Sequence, residues 1–365
     1  AWNDYLSQDE AGNPVMPRFH RLLMFEVEEN PGQDAVLRLE ASLRTLERRF
    51  RRGPDGLMFV LGWAPGYFER WLERDSPVER PQALSSFETP EFDDFDACLH
   101  LASDDEERLA SVERALVDGA ELSGAEGFLD IRGTLLLRET RTGFVGEGLP
   151  AARQEVSGVP ADRPVPQDSP LFMGFKSGFR KNQATEDDVT IEDQPFVGGS
   201  TMQVSKLRLR LESWYNLFDE SQRAARMFAP QVAPDEAAGF ANEADTFSDS
   251  IEETAIERGV VGHLQATGGA RRNDRPIILR RDFNTTDGGE AGLHFVALQR
   301  SISDFVETRR AMNASGMSFQ NPAITQRVNN GIKEFIFVER RANYLVPPRS
   351  QRAFPLLPGR EEVFA

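Results

Sequence analysis

The sequence predicts an α+β protein built from two ferredoxin-like domains, and three observations carry that expectation. Between Phe19 and Glu139 a strand–helix–strand pattern occurs twice, the arrangement of a split βαβ unit. A polar connection follows, studded with Pro150, Pro160, Pro164, Pro166 and Pro170. Beyond it the same kinds of element return without visible sequence identity. The chain of 365 residues is long enough for two domains, and the expected division is residues 1–160 and 161–365.

Residues 1–18 read as irregular, and Phe19 to Val27 alternates like a strand. Val36, Leu37, Leu39, Leu43 and Leu46 recur at helical spacing, predicting a helix from Asp34 to Phe50 that stops near Gly53. Leu57 to Trp63 reads as a strand and Pro65 to Leu72 as a short helix. The pattern then repeats with a strand from Phe95 to Ala102, an acidic-started helix from Asp104 to Val117 and a strand from Phe128 to Glu139. After the Pro-rich connection, Met202 to Leu211 alternates Leu207, Leu209 and Leu211 with Arg208 and Arg210, a strand with one wet or ligand-facing side. Asp219 to Phe228 reads as helix and Asp235 to Glu257 as an acidic helical insertion. Strands are expected at Ile277 to Leu279, Leu293 to Gln299 and Lys333 to Glu339, with a helix from Ser303 to Met312.

Composition narrows the function classes. A net charge of −17 and a pI near 4.8 argue against a nucleic-acid partner. No run of apolar residues approaches the roughly 18 needed to span a membrane. All but four of the 42 basic residues are arginine, the exceptions being Lys176, Lys181, Lys206 and Lys333. An acidic surface nearly free of lysine suits a halophilic protein, since concentrated salt shrinks the Debye length to roughly 3 Å. An ordinary acidic protein is the competing reading. The single Cys98 sits in an apolar alternating segment and reads as a small buried hydrophobe. The start, Ala1-Trp2-Asn3, has no charged-then-apolar leader and could be a processed end.

Three short features carry chemistry: the loop Gly174-Phe175-Lys176-Ser177-Gly178, His263 in a Gly-bounded segment, and Ile278-Leu279-Arg280-Arg281. A Gly-flanked loop, a lone histidine and an arginine about one strand further on suggest a haem pocket. The other three histidines, His20, His100 and His294, lie in strand-like apolar runs and read as satisfied core or edge residues. Gly174, Gly178, Gly198 and Gly199 would let the backbone approach a flat ligand or simply turn. Phe175, Phe179 and Phe283 suit the lining of an apolar cavity. Trp214 and Tyr215 could relay electrons, though packing is the expected use.

In chain order, Gly143-Phe144-Val145-Gly146, the Gly174–Gly178 loop, Val197-Gly198-Gly199-Ser200, His263, the Arg280-Arg281 run and Gly292-Leu293-His294-Phe295-Val296-Ala297-Leu298-Gln299-Arg300 resemble the dye-decolourising peroxidase (DyP-type) superfamily, including its divergent haloarchaeal members. The resemblance extends from about Phe19 to Pro348. It implies two ferredoxin-like domains packed as a dimeric α+β barrel, with haem b in the C-terminal half. His263 maps onto the proximal iron ligand and Arg280 onto the distal arginine. Arg281 could meet a haem propionate, while Gly174, Phe175, Lys176 and Gly178 would flank the cofactor. The family's loop has the form GxxDG, and here Ser177 stands at the Asp position. H2O2 and an unidentified reducing substrate would be the small-molecule partners, and the protein would form a homo-oligomer, a dimer. Family members are often exported folded by the twin-arginine route, so an extracytoplasmic location is expected, with a cytoplasmic one left open.

The proposed chemistry is specific. A neutral imidazole holding iron needs an acceptor for its second nitrogen, and Asp287 and Glu253 are the candidates. The fixed charge of Arg280 would stabilise charge developing on a peroxide's outer oxygen. Its bland alternative is a surface ion pair, the expected state of most of the arginines. Ser177 is too weak a base to move the peroxide proton. Three outcomes therefore stay open: slower turnover with Arg280 and a Ser177-held water, a carboxylate from Glu186-Asp187-Asp188 folded into the pocket, or haem binding without turnover. The last three carboxylates read more simply as a solvated acidic loop. A haem-free structural or envelope protein on the same fold is a further alternative.

Overall fold

The computed structural model describes residues 2–243 and 249–360. Eight strands form its frame: β1 Phe19–Val27, β2 Met58–Trp63, β3 Ala97–Ser103, β4 Leu135–Phe144, β5 Ser200–Leu209, β6 Phe283–Thr285, β7 Gly292–Gln299 and β8 Ile336–Val346. The helices that matter for the site are α1 Gln33–Arg49, α2 Glu106–Asp118, α3 Leu211–Leu217, α4 Glu220–Met227, α5 His263–Thr267 and α6 Ile302–Ala311. The expected insertion from Asp235 to Glu257 contains two helices, Ala237–Glu243 and Asp249–Arg258, and its residues 244–248 lie outside the described residues. Among the described residues no helix is long and apolar enough to cross a membrane.

The helices follow from their sequences. Val36, Leu39, Leu43 and Leu46 put one buried stripe on α1. Asp105 caps α2 by accepting from the Arg108 amide, and Gly119 ends it at a φ of 69°. Ser301 caps α6.

Both halves have the same topology. The first pairs its strands in the order β4-β1-β3-β2 and the second in the order β8-β5-β7-β6, each the permutation of a ferredoxin-like unit. Two antiparallel seams then join the halves. Leu345 of β8 faces Trp63 of β2, and Asn284 of β6 faces Phe144 of β4. The eight strands thereby close into one antiparallel barrel, with no edge left open in the ring.

Period-2 alternation sorts the side chains. Leu22 and Met24 of β1, Cys98 of β3, Met202 and Val204 of β5 and Tyr344 of β8 fill the barrel lumen. Their neighbours Leu23, Phe25, Leu99 and Leu101 face outward onto α1 and α2. Cys98 is buried as expected, and desolvation pushes its thiol up to about 12.

The closing strand β6 was not expected from the sequence, and three expected strands differ in extent. The strand expected from Phe128 begins only at Leu135, because Thr134 and Leu135 both donate to the Ile131 carbonyl in a turn and Gly133 takes a φ of 73°. The strand expected from Lys333 to Glu339 begins at Ile336 and runs on to Val346. Glu339, Arg340 and Arg341 interrupt the apolar pattern, yet Arg341 is buried on Glu88 and the ladder continues beneath it. The strand expected at Ile277 to Leu279 is a two-residue pairing, Leu279–Arg280, on the edge of β7.

The β4–β6 seam is held by a side chain as much as by the ladder. Asn284 is fully buried, donates to the Phe144 and Pro170 carbonyls, and accepts from the Phe172 amide at 2.8 Å. Removing all three bonds from a dry site leaves backbone groups unpaired. Asn284→Ala should therefore lower stability by at least about 2 kcal/mol, read as a fall in denaturant midpoint at unchanged slope. An unchanged midpoint would show that the seam does not depend on this side chain.

Candidate functional site

A cavity open to solvent lies between the outward faces of β5, β7 and β8 and the helices that cover them. Alternation builds the strand wall. Leu207 and Leu209 of β5 and Leu293 and Phe295 of β7 face the cavity, whereas Val204 and Val296 face the lumen. On β8 the register slips between Val338 and Arg340. That bulge lets Ile336, Val338 and Arg341 share the cavity face, which strict alternation would forbid. The leucine side of β5 is thus the cavity-facing side, while Arg208 on the other side pairs with Glu339.

His263 is the first residue of α5 and lines the cavity. Two close backbone contacts set its position. A Cβ on Gly262 would stand 1.9 Å from the Phe228 carbonyl oxygen at the end of α4, and one on Gly331 would stand 2.9 Å from the His263 Cα. Hydrogen bonds complete the clamp, from the Val261 amide to Asn329, from the Gly331 amide to Val261 and from the Gln265 amide to Phe228. The imidazole itself has no hydrogen-bond partner among the described residues. Desolvation, reinforced by the charges of Arg280, Arg309 and Lys333, holds its pKa down to about 3, so the ring is neutral. Neither expected acceptor reaches it. Asp287 is spent on Thr142 and on His294, and Glu253 is exposed.

The segment after Ile278 is extended, and its alternation divides the predicted residues. Arg280, Asp282 and Asn284 front the cavity, and Arg281 and Phe283 do not. Arg281 corrects the sequence reading. Its guanidinium is buried away from the cavity, donates to the Arg280 carbonyl and to Asn3 Oδ1, and lies 4.0 Å from Glu186. Burial lowers its pKa to about 10. Phe283 stacks on His20 inside the barrel, ring centroids 4.4 Å apart. Arg280 is fixed through its backbone, whose amide donates to Gln183 Oε1 at 2.7 Å.

The Gly174–Gly178 loop lies over the same cavity, contributing Phe175, Lys176 and Ser177, with Phe179 just beyond. Gly174 and Gly178 are not on the wall; their φ values of 90° and 78° shape the turn. Trp214 Nε1 donates to the Met173 carbonyl and Tyr215 Oη to that of Phe172, so both aromatics of α3 hold the loop's base by packing. Lys176 is paired with Asp9. Burial would raise the Asp9 carboxyl, but hydrogen bonds from Lys176 and Asn13 bring it down to about 2.

Ser177 Oγ donates to Asp282 Oδ2 at 3.4 Å, and Arg280 Nη1 stands 3.8 Å from the same oxygen. Asp282 was missed in the sequence reading, although its place two residues after Arg280 in an extended run was the available signal. Its side chain is 7% exposed, and Oδ1 is buried with no hydrogen-bond partner among the described residues. Burial raises its pKa to about 6 against the pull of Arg280, Ser177, Arg281 and the Val296 backbone. Glu186, Asp187 and Asp188 do not enter the cavity. They open a short helix capped by Thr185, with Glu186 accepting from the Asn3 amide and Asp188 pairing with Arg275.

At the far end Arg309 and Arg341 line the cavity and clamp Glu88 between them at 2.9 Å each. Arg309 Nη1 is buried without a partner among the described residues. Lys333 lies close by, its amine bonded to Asn313 Oδ1 and its pKa pushed down to about 7 by burial and then by Arg309. The remaining histidines behave as core residues. His20 Nδ1 bonds His100 Nε2 at 3.0 Å, and His294 faces Asp287 at 3.4 Å.

Residues 17–348 match a family of unknown function (DUF7405). The chain belongs to this family. No curated protein matches the DUF7405 chain by sequence. Its fold is nevertheless that of the dye-decolourising peroxidases. DyPB from Rhodococcus jostii RHA1 superposes with a TM-score of 0.63 at 14% identity, covering 97% of each chain. The encapsulated DyP-type peroxidase from Mycobacterium smegmatis gives 0.62 at 15% identity, over 97% of this chain and 100% of that one. A DypB variant from Rhodococcus jostii RHA1 in complex with heme gives 0.59 at 14% identity, over 93% and 96%.

The placement of His263 makes Gly262 the sensitive position in this DUF7405 protein. Its φ of −78° is open to any residue, so the steric clash alone decides the outcome. Gly262→Ala should cost about 1–3 kcal/mol or more by overpacking and move His263, read by thermal melting and by a crystal structure of the variant. A variant with unchanged melting and an unmoved ring would refute the clamp.

Proposed function

We propose that this chain is a haem-dependent, peroxidase-like oxidoreductase that reduces H2O2, with haem b as its cofactor. The observation that carries the reading is the convergence of His263, Arg280 and Ser177 on one apolar cavity in a barrel of the dye-decolourising peroxidase fold.

The residues present fit such a group. The walls are mainly apolar, with the charged groups gathered at the two ends. The His263 imidazole is neutral, the form that ligates iron, and has no protein partner among the described residues to lose. The buried, unpartnered Nη1 of Arg309 suits a propionate carboxylate, a role for which Arg281, which does not line the cavity, is not placed. When bound, haem would supply the electron pair that cleaves the O–O bond. Arg280 would orient the peroxide and stabilise negative charge on its outer oxygen. Phe175, Phe179 and the leucine wall would give that reaction apolar surroundings.

Ser177 in the loop, together with the lack of a carboxylate bonded to His263 among the described residues, favours one competing reading, haem binding without turnover. One spectroscopic experiment separates the two. In concentrated salt, the purified protein supplied with haem should develop a Soret band, and H2O2 should shift it. His263→Ala should lose that band while keeping the wild-type melting temperature. A Soret band indifferent to peroxide would establish the competing reading. No Soret band in the wild type would refute both.

A further inference from the structure

We infer that Asp282 is the residue that moves the peroxide proton in this site, taking over a task for which Ser177 has no carboxylate. The inference rests on the peroxidase reading above, and its basis is geometric. Among the described residues that line the cavity, Asp282 is the one carboxylate. Of the three side chains that alternation aims inward, Asn284 is committed to the backbone of Phe144, Pro170 and Phe172. Arg280 and Asp282 remain, 3.8 Å apart, with Ser177 donating to Asp282 from the opposite loop.

The carboxylate is buried yet incompletely paired. Oδ2 has Ser177 and Arg280, and Oδ1 makes no hydrogen bond within 3.5 Å among the described residues, although the Val296 backbone lies near the carboxylate. An unpaired buried carboxylate oxygen is costly, and such atoms in native proteins call for an explanation in a ligand or a reaction. The other ionisable side chains on the wall are cationic or neutral. Lys176 is tied to Asp9, while Arg309 and Arg341 are tied to Glu88.

The proton inventory is simple. Cleaving H2O2 requires a proton to leave the inner oxygen and a proton to reach the outer one, which departs as water. Asp282 accepts the first and returns it as the second, ending in the protonation state in which it began; the electron pair for the O–O bond is what bound haem would supply. Over a full turnover, H2O2 + 2 H+ + 2 e− gives 2 H2O, with electrons and protons drawn from the reducing substrate. Burial raises the Asp282 carboxyl to about 6 against Arg280, Ser177, Arg281 and the Val296 backbone, the groups that face it from its own strand, the loop and β7. A base near that value is better matched to neutral pH than one at the ordinary aspartate level.

The test compares haem-loaded wild type, Asp282→Asn and the double variant Asp282→Asn/Ser177→Asp, mixed rapidly with H2O2 while the Soret band is followed. Asp282→Asn should keep its Soret band and slow by roughly 10²–10⁴-fold. Ser177→Asp, which puts a carboxylate back within reach of the same point, should restore part of the loss. Independently of haem, carboxyl NMR of the haem-free protein should show one aspartate titrating near 6, absent from Asp282→Asn. If Asp282→Asn does not fold, Ser177→Ala replaces it. Losing the donor should raise the Asp282 pKa in the NMR titration and move the acidic limb of the rate profile upward. Wild-type speed in Asp282→Asn with an intact Soret band, or no aspartate titrating above its ordinary range, would overturn the inference. A wild type that takes up no haem, or whose Soret band ignores peroxide, would overturn the peroxidase reading itself and this role with it.

Discussion

Barrel closure and the candidate chemistry depend on the same eight residues, Ile278 to Thr285. Pairing of Leu279–Arg280 with β7, and of β6 with both β7 and β4, leaves this segment no freedom in register. Because the backbone is extended, that register decides which side chains meet the cavity and which meet the barrel lumen. A slip of one residue would exchange Arg280 and Asp282 for Arg281 and Phe283. Asn284 guards against the slip, since its carboxamide satisfies backbone groups on two other segments, including the base of the loop that carries Ser177. The loop, the seam and the inward charges are therefore positioned by one constraint.

Much of this was legible in the sequence where a periodicity was unbroken. The α1 stripe and the alternation of β1 and β7 are near-complete patterns, and each element appears within a residue or two of its expected limits. The separation of His263 from His20, His100 and His294 was legible too, because the latter sit in strands and face the barrel lumen rather than the cavity. The failures have a common cause. Arg280 and Arg281 were read as neighbours in sequence and so as partners in function, whereas strand geometry makes Arg280 and Asp282 the pair. Asp287 was a candidate acceptor for His263, yet tertiary pairing of β6 with β7 gives it to Thr142 and His294. The bulge that turns Arg341 toward the cavity has no local signature at all.

The arginine-rich composition also means more than solubility. Most arginines were expected to be surface partners of carboxylates, but Arg141, Arg281, Arg309, Arg341 and Arg352 are buried. Arg141 is bidentate to both Asp93 and Glu139, and Arg352 bridges Glu40 and Glu47. Arginine suits these places because its planar fork satisfies two carboxylates at once and it cannot escape by losing its proton. Buried pairs of this kind add little net stability when desolvation is counted, but breaking one strands a charge. Their effect is to make alternative packings expensive. Lys333, whose amine is depressed by burial and by Arg309, illustrates why a lysine in such a cluster would be a weaker anchor.

The extended segment that carries Asp282 is held more firmly than a loop would be. In the form GxxDG the acid would ride on a loop whose glycines permit positive φ, as Gly174 and Gly178 do here. Asp282 instead follows a residue whose amide donates to the Val296 carbonyl at 2.7 Å and precedes one buried against His20. Its backbone cannot shift without opening the barrel, while Ser177 on the loop need supply only a hydroxyl. The wall that bears Arg280 therefore bears the carboxylate as well, 3.8 Å away. Their separation is set by strand geometry and not by the closure of a loop, so both charges stay preorganised whether or not the loop above them moves.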